Sequence, residues 1–357
     1  MKKLLSLLLV IAMLTSLLAA CDTSEKIPEE SDSETRSETD SETETDSETE
    51  TETELQTETD TEAETEPETD EKVSLNGKKV LFIGNSQTFY GNCVIQKSQS
   101  YMTQESRQND QGYFYQLCKS NGAEVQVTNW TFGNHNLGDF LGPCNAQRVC
   151  QGEYHMNYLT DRNFDYVIIQ QSGQDSIDLM ACFQQCTALA EMFREANPNV
   201  QLLFLVHRRA YELDLDWLVA LPSLADMGIR IVNYGKMIED IIAGSVTVPG
   251  ASLTYNQNSF IVKQSAKDGY HPNILTGYLT ALATYCAITG ESAVGQDYSF
   301  CNNSSLHSKF NFDSFINTYY GYQGSTTNFK EIFASPSEMY ALQALLDTYL
   351  ADSSYGG

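Results

Sequence analysis

The sequence predicts an α/β domain with a central parallel β-sheet in residues 73–357. Short apolar runs, typical of strands that are buried on both faces of a parallel sheet, recur along this region. Stretches with apolar residues at helical spacing lie between them, and strands that alternate with helices favour a doubly wound fold. We therefore expect one α/β domain, with its functional site at the carboxyl ends of the strands.

Five strands are predicted, and each is a short apolar run of the kind that a buried strand requires. The first run is closed by a glycine, which is typical of a strand that ends in a tight turn. The predicted strands are Lys78–Gly84, Val125–Phe132, Tyr166–Gln170, Gln201–Val206 and Arg230–Tyr234.

Three helices are predicted around these strands. The clearest runs from Ile177 to Ala196 and stops at the Asn-Pro pair that follows it. A second is expected to begin after Pro272 and to run through Cys286. The third, Met339–Leu350, repeats apolar residues at helical spacing and is expected to pack across the outside of the domain.

The acidity of the chain lies mainly in residues 22–72. The net charge of the whole chain is −27, and residues 22–72 hold 23 acidic and 3 basic residues. This repetitive region, rich in Ser, Thr and Glu, has almost no apolar residues to bury, so we expect it to be a disordered tether. Residues 73–357 are only modestly acidic and have no basic stripe for phosphate contacts, which argues against nucleic-acid binding.

The first 21 residues have the pattern of an export signal. Lys2 and Lys3 precede an apolar run that is too short for a comfortable membrane span and that ends in small residues. The run leads into Leu18-Ala19-Ala20-Cys21, which resembles the bacterial lipobox, and this resemblance implies that Cys21 is lipidated. We therefore expect an exported protein that is anchored to the outer face of a bacterial membrane, with an ordinary cleaved signal as the alternative.

Eight cysteines remain when Cys21 is set aside, and an even number in an exported domain permits disulfides. The closest pairs in the chain are Cys144 with Cys150 and Cys182 with Cys186. Cys182 and Cys186 lie on a predicted helix, where they could equally be two small buried side chains. No cysteine spacing matches a zinc site, so no metal is expected.

Two short segments at predicted strand ends carry the candidate chemistry. Gly84-Asn85-Ser86 follows the first strand, and Asp268-Gly269-Tyr270-His271 precedes the helix that begins after Pro272. A serine hydroxyl needs a base within hydrogen-bonding reach to act as a nucleophile. His271 can serve as that base, and Asp268 in the same turn can orient its ring. The predicted catalytic residues are therefore Ser86, His271 and Asp268.

These two segments resemble the nucleophile block and the Asp-x-x-His block of the SGNH (GDSL-type) hydrolases. The Gly-Asn-Ser-x-Thr form is similar to one bacterial branch of that family, and the resemblance covers roughly residues 78–290. It implies a three-layer flavodoxin-like fold and the hydrolysis of ester bonds by a Ser-His-Asp mechanism. It also implies that no metal and no cofactor take part.

The resemblance further implies an oxyanion hole formed by three donors. The backbone N–H of Ser86 is the first, and Gly133, in the loop after the second strand, is the natural carrier of the second. The family's usual Gly-x-Asn-Asp is missing after the third strand, where the chain reads Gln170-Gln171. An amide N–H can donate to an oxyanion, so Gln170 is the predicted third donor, with Gln171 close behind.

Further side chains are candidates for the pocket itself. They are Gln171, Asn85 and His207, and His135 lies next to the predicted oxyanion loop. His155 lies in a polar context and is expected to be exposed. Tyr90, Tyr101, Tyr113 and Tyr115 surround a polar insertion after the nucleophile, where their rings could stack on sugars or simply fill the edges of the domain.

The substrate is predicted from the expected location at the cell surface. Exported relatives in the SGNH family often remove acetyl groups from polysaccharides, so the resemblance implies a carbohydrate O-acetylesterase acting on an acylated polysaccharide or another ester. An acyltransferase that uses the same triad is one alternative. A non-catalytic surface module that binds glycans is the other, favoured by the missing Gly-x-Asn-Asp.

Overall fold

The structure is a computed structural model, and it describes residues 73–95, 104, 107–108, 111–143, 154–173, 177–251, 254–261, 271–302 and 336–351. All of these residues belong to one unit, Pro67–Gly357. The expectations for the signal segment, for Cys21 and for the tether 22–72 lie outside the described residues. Asp268, Tyr101, Cys144 and Cys150 also lie outside them.

A five-stranded parallel sheet forms the centre of the domain. Its strands are β1 (Lys79–Gly84), β2 (Gln126–Thr131), β3 (Tyr166–Gln170), β4 (Gln201–Leu205) and β5 (Ile229–Val232). They lie in the order β2-β1-β3-β4-β5, with every neighbouring pair parallel. This is the flavodoxin-like order, in which ligands bind at the switch point between β1 and β3. The predicted α/β fold with a central parallel sheet is confirmed.

The helices come from the segments between the strands and after them. The predicted helices at 177–196, after Pro272 and at 339–350 are all present. Their order is α1 (Ser86–Phe89), α2 (Tyr113–Ser120), α3 (Leu137–Leu141), α4 (Leu179–Ala196), α5 (Arg208–Glu212), α6 (Leu221–Asp226), α7 (Tyr234–Ile242), α8 (Gln257–Phe260), α9 (Ile274–Thr289) and α10 (Pro336–Leu350).

Side-chain caps set where the two longest helices begin. The side chain of Asp178 accepts a hydrogen bond from Ala181 N, so α4 begins two residues after the predicted start. The side chain of Asn273 accepts one from Thr276 N, which fixes the start of α9 just after Pro272. The second cap matters for function, because His271 lies two residues before it.

The sheet separates two apolar clusters, as expected of strands whose side chains alternate between faces. In β1, Val80 and Phe82 belong to one cluster, whereas Leu81 and Ile83 belong to the other. The first cluster also contains buried side chains of α2, α7, α9 and α10, and the second contains those of α3, α4 and α6. The domain is therefore a sandwich of three layers, with helices on both faces of the sheet.

The six described cysteines are buried with free thiols, namely Cys93, Cys118, Cys182, Cys186, Cys286 and Cys301. The possibility of a disulfide between Cys182 and Cys186 is therefore wrong, and the alternative, two small buried side chains on α4, is confirmed. Burial raises the pKa of the Cys118 thiol to about 12, and it also raises that of Cys186 well above its usual value. Such thiols are protonated and poorly nucleophilic at neutral pH.

Within the described ranges, no helix is long and apolar enough to cross a membrane. The same part of the chain contains no group of three or more His, Cys, Asp or Glu side chains that could hold a metal ion.

Candidate active site

Ser86 lies at the carboxyl end of β1, where the chain turns sharply into α1. Asn85 forms the turn in an extended conformation, and its side-chain oxygen accepts a hydrogen bond of 3.0 Å from Gln87 N. Ser86 is the first residue of the helix, where a backbone N–H has no partner within the helix. Its side chain is partly exposed, whereas the three residues that follow are buried. The turn therefore presents both the hydroxyl and the N–H of Ser86 at the switch point.

Gln170 holds this turn from the neighbouring strand. Its side-chain oxygen accepts hydrogen bonds of 3.0 Å from Asn85 N and from Thr88 Oγ1. Its Nε2 donates to the backbone carbonyl of Gln171. A Cβ atom at position 84 would lie 2.7 Å from the Gln170 oxygen, which explains the glycine there. Gln170 is buried, and the two hydrogen bonds to its side-chain oxygen hold the nucleophile turn in place.

The predicted oxyanion role of Gln170 would use the second N–H of its Nε2, since the first donates to the Gln171 carbonyl, and this role stays a prediction. The predicted donor Gly133 lies in the loop after β2. That loop borders the nucleophile turn, because Phe132 N donates to Gly84 O at 3.0 Å and Asn85 Nδ2 donates to His135 O at 2.8 Å. Its backbone is held beside Ser86 at both ends.

His271 is brought to the same edge of the sheet. Its ring is 3% exposed and stacks on the ring of Tyr90, with 3.9 Å between centroids and 13° between planes. Tyr90 directly follows α1, the helix that Ser86 begins. The serine and the histidine of the two sequence motifs, 185 positions apart, therefore belong to one structural unit.

Two glycines allow this approach. A Cβ atom at Gly277 in α9 would lie 1.8 Å from the backbone oxygen of Gly91, and one at Gly91 would lie 2.1 Å from that of Asn273. Gly91 also has a φ of 75°, a conformation that favours glycine. The first turn of α9 therefore touches the backbone of the segment after α1, and His271 is carried with it. Sequence reasoning missed Gly91 and Gly277, and it considered Tyr90 only as a sugar-stacking or edge-filling ring, because no local pattern marks a contact between distant segments.

The described residues on either side of positions 262–270, which include Asp268, are bonded to each other. Ile261 and Pro272 form an antiparallel bridge. Asn273 N donates to Phe260 O at 3.1 Å, and Asn273 Nδ2 donates to Ser259 O at 2.8 Å. His271 is therefore anchored on its C-terminal side, and the orienting role of Asp268 stays a prediction.

Gln171 and His207 are hydrogen-bonded to each other next to Gln170. The Gln171 oxygen accepts from Leu137 N at 3.1 Å and from Ser172 N at 2.8 Å, and its Nε2 donates to Gln185 at 2.8 Å. His207 Nε2 donates to the backbone oxygen of Gln171 at 3.0 Å. Burial lowers the pKa of His207 to about 3, so its ring is neutral at physiological pH. Both side chains are buried and bonded within the protein, which makes them supporting residues.

Three residues expected or considered at the surface are buried. His155 is 5% exposed, because its Nε2 donates to Gly142 O and its Nδ1 accepts from Asn157 N. The expectation that His155 is exposed is wrong. Tyr90 and Tyr113 are buried as well, and Tyr115 is partly buried, so the first two fill the domain and do not offer rings to a sugar from its surface.

Comparisons with known proteins show weak similarity to a few solved structures. A scan against protein families finds no match, and a search of curated proteins finds no relative. Among solved structures, the chain is similar to a candidate GDSL-like lipase from Parabacteroides merdae, with 15% identity, a TM-score of 0.41 and coverage of 60% of this chain and 96% of that one.

Two carbohydrate esterases show the same level of likeness. The acetylxylan esterase Axe2 from Geobacillus stearothermophilus has 14% identity and a TM-score of 0.38, over 61% of this chain and 97% of that one. A family two carbohydrate esterase from Clostridium thermocellum has 13% identity and a TM-score of 0.34, over 60% and 64%. All three TM-scores lie below 0.5.

Proposed function

We propose that this chain is a serine ester hydrolase with Ser86 as its nucleophile and His271 as its general base. The observation that carries the proposal is the contact between His271 and Tyr90, the residue that directly follows the helix opened by Ser86. Ser86 opens a helix on a turn clamped by Asn85 and Gln170, and the stack of His271 on Tyr90 brings the imidazole to the same edge. Acyl transfer by a serine requires a base within hydrogen-bonding reach of its hydroxyl, and the contact between these two segments supports that arrangement.

The chemistry that these residues support proceeds through an acyl-enzyme. Ser86 Oγ attacks the ester carbonyl carbon while His271 takes its proton, and Asp268 orients the imidazole and stabilises its charged form. The oxyanion accepts hydrogen bonds from the N–H groups of Ser86 and Gly133 and from the Gln170 amide. His271 then gives the proton to the leaving alcohol, and later activates the water that releases the acid and restores Ser86.

The substrate in this proposal is an acetylated polysaccharide outside the cell. The lipobox-like segment before Cys21 supports export and lipid anchoring, and the tether 22–72 is long enough to separate the enzyme from a membrane. The sequence resemblance to exported SGNH hydrolases supports acetyl removal. The reaction needs no cofactor in this mechanism.

Release of acetate tests the proposal. We expect the purified protein to release acetate from acetylated xylan, acetylated pectin or O-acetylated peptidoglycan, and the Ser86→Ala variant to release none above background. Ser172→Ala is the matched control, because Ser172 is a buried serine at the carboxyl end of β3. Equal release by wild type and Ser86→Ala would contradict the proposed nucleophile.

A further inference from the structure

His135 lies beside the nucleophile turn, in the loop that follows β2. Thr131, the last residue of β2, pairs with Gly84 in the sheet register, and Phe132 N donates to Gly84 O. The backbone oxygen of His135 accepts a hydrogen bond of 2.8 Å from Asn85 Nδ2. Since Ser86 directly follows Asn85, the backbone of His135 is fixed next to the residue that would attack the ester.

The tautomer of His135 follows from a second hydrogen bond. Its Nδ1 lies 2.7 Å from the backbone oxygen of Gly133, and a carbonyl oxygen can only accept. Nδ1 therefore carries a proton, and in the neutral tautomer Nε2 holds a lone pair. Among the described residues none is hydrogen-bonded to Nε2, and the ring is partly exposed. Nε2 can thus accept a hydrogen bond, which favours a ligand that carries an O–H or N–H donor.

Aromatic packing restrains the ring of His135. The ring of Tyr154 meets the imidazole edge to face at 4.1 Å between centroids, and Phe132 and Phe140 pack at 5.9 Å and 6.0 Å. The backbone oxygen of Tyr154 is itself bonded to Trp130 Nε1 at 2.8 Å. A histidine that packs against three rings and bonds to the Gly133 carbonyl has little rotamer freedom to lose when it binds a ligand, so its acceptor is preorganised.

We propose that His135 Nε2 accepts a hydrogen bond from a substrate hydroxyl on the carbon next to the ester carbon. This inference rests on the proposed function and deepens it, because it makes the site selective for monoesters of vicinal diols. Acylated sugars with a free neighbouring hydroxyl belong to that class, whereas simple alkyl esters do not. The Gly133 carbonyl that fixes the tautomer lies in the predicted oxyanion loop, so the diol contact and the oxyanion contact share one short segment.

A cycle of two proteins and two esters tests this selectivity. The esters are trans-2-hydroxycyclohexyl acetate, in which acyl migration gives back the same molecule, and cyclohexyl acetate, which lacks the hydroxyl. The measured quantity is the ratio of kcat/KM for the first ester to that for the second, divided by the ratio of their rates of hydrolysis by hydroxide alone. In wild type we expect this corrected ratio to be about 3 to 12. In His135→Phe this corrected ratio should fall to about one, because Phe keeps the packing and has no acceptor.

Two further variants complete the cycle. His135→Gln keeps a side-chain oxygen that can accept, and should recover part of the ratio. Tyr340→Phe, at an exposed position of α10, should keep the full wild-type ratio. A corrected ratio that is the same in wild type and in His135→Phe would overturn the inference.

A binding measurement separates failure of this inference from failure of the proposed function. In wild type, the 15N resonance of His135 Nε2, assigned by its loss in His135→Phe or His135→Gln, should move when trans-1,2-cyclohexanediol is added, and should not move with cyclohexanol. A shift without hydrolysis of either ester would support the diol contact and contradict the esterase. Hydrolysis of both esters with no diol-dependent shift would support the esterase and overturn the diol contact.

Discussion

The imidazole of His271 lies flat on the ring of Tyr90, with 3.9 Å between the centroids and 13° between the planes. Tyr90 follows the helix that Ser86 opens, and His271 precedes the helix that Asn273 caps. The stack is therefore a direct contact between the two segments that carry the candidate nucleophile and its base.

Loss of the Tyr90 ring should misplace the base. We expect Tyr90→Leu to lower kcat for an aryl acetate on the order of 10- to 100-fold with little change in KM, because a positioned base typically contributes 10² or more to the rate. Tyr90→Phe is the matched control, since it keeps the ring, and should retain most of the activity. The upfield ring-current shift of the His271 protons should likewise persist in Tyr90→Phe and vanish in Tyr90→Leu. Equal kinetics in the two variants would show that the stack does not position His271.

The contact between Gly91 and Gly277 predicts a reversal of the usual effect of alanine in a helix. Helix propensity alone favours Gly277→Ala by about 1 kcal/mol. The added Cβ would lie 1.8 Å from the Gly91 backbone oxygen, so we expect a loss of about 2–4 kcal/mol in the free energy of unfolding. Urea unfolding followed by fluorescence of the two buried tryptophans measures it. Gly142→Ala, where the nearest atom is 3.5 Å from the added Cβ, is the matched control.

The clamp of Gln170 on the nucleophile turn should be visible in stability. Gln170→Leu leaves the buried N–H of Asn85 without its acceptor, so we expect a loss of roughly 2–4 kcal/mol in the free energy of unfolding. Thr88→Val removes one bond of the same clamp and should cost about 1 kcal/mol. Both variants should also lower kcat, because the turn that presents Ser86 loosens. A Gln170→Leu protein as stable as wild type would contradict the clamp.

His207 should make stability depend on pH in a defined window. Burial holds its pKa at about 3 in the folded protein, below its usual 6.5, so between these values the unfolded chain binds a proton that the folded chain does not. Stability from this group is present above about pH 6.5 and is lost progressively as the pH falls towards 3. Over the whole window the loss amounts to at most about 4–5 kcal/mol.

The His207→Gln variant isolates this component. Glutamine keeps a donor for the Gln171 carbonyl but does not titrate. Subtracting its unfolding free energy from that of wild type at each pH removes the contribution of the acidic side chains. The difference should fall by several kcal/mol between pH 6.5 and 4, and a difference that stays flat would contradict the buried neutral ring.

The fold and the two motifs could be predicted from the sequence because both depend on local pattern. Apolar runs identified all five strands, with errors of one or two residues at the ends, as at 230–234, where Tyr234 instead opens α7. Gly84-Asn85-Ser86 identified the turn. The contacts that assemble the site could not be predicted, because Tyr90 meets His271, and Gly91 meets Gly277, across more than 180 residues of chain. The exposure of His155 was wrongly predicted, because its polar neighbours in the sequence give no sign of its hydrogen bond to the Gly142 carbonyl.

Covalent labelling of Ser86 tests the central claim most directly. The full-length protein is treated with a fluorophosphonate, and the modified peptide is identified by mass spectrometry. We predict a single serine adduct at Ser86, formed at least 100-fold more slowly in His271→Gln, because the hydroxyl then lacks its base. Folded wild-type protein that remains unlabelled, or that is labelled at another serine, would contradict a Ser86–His271 esterase.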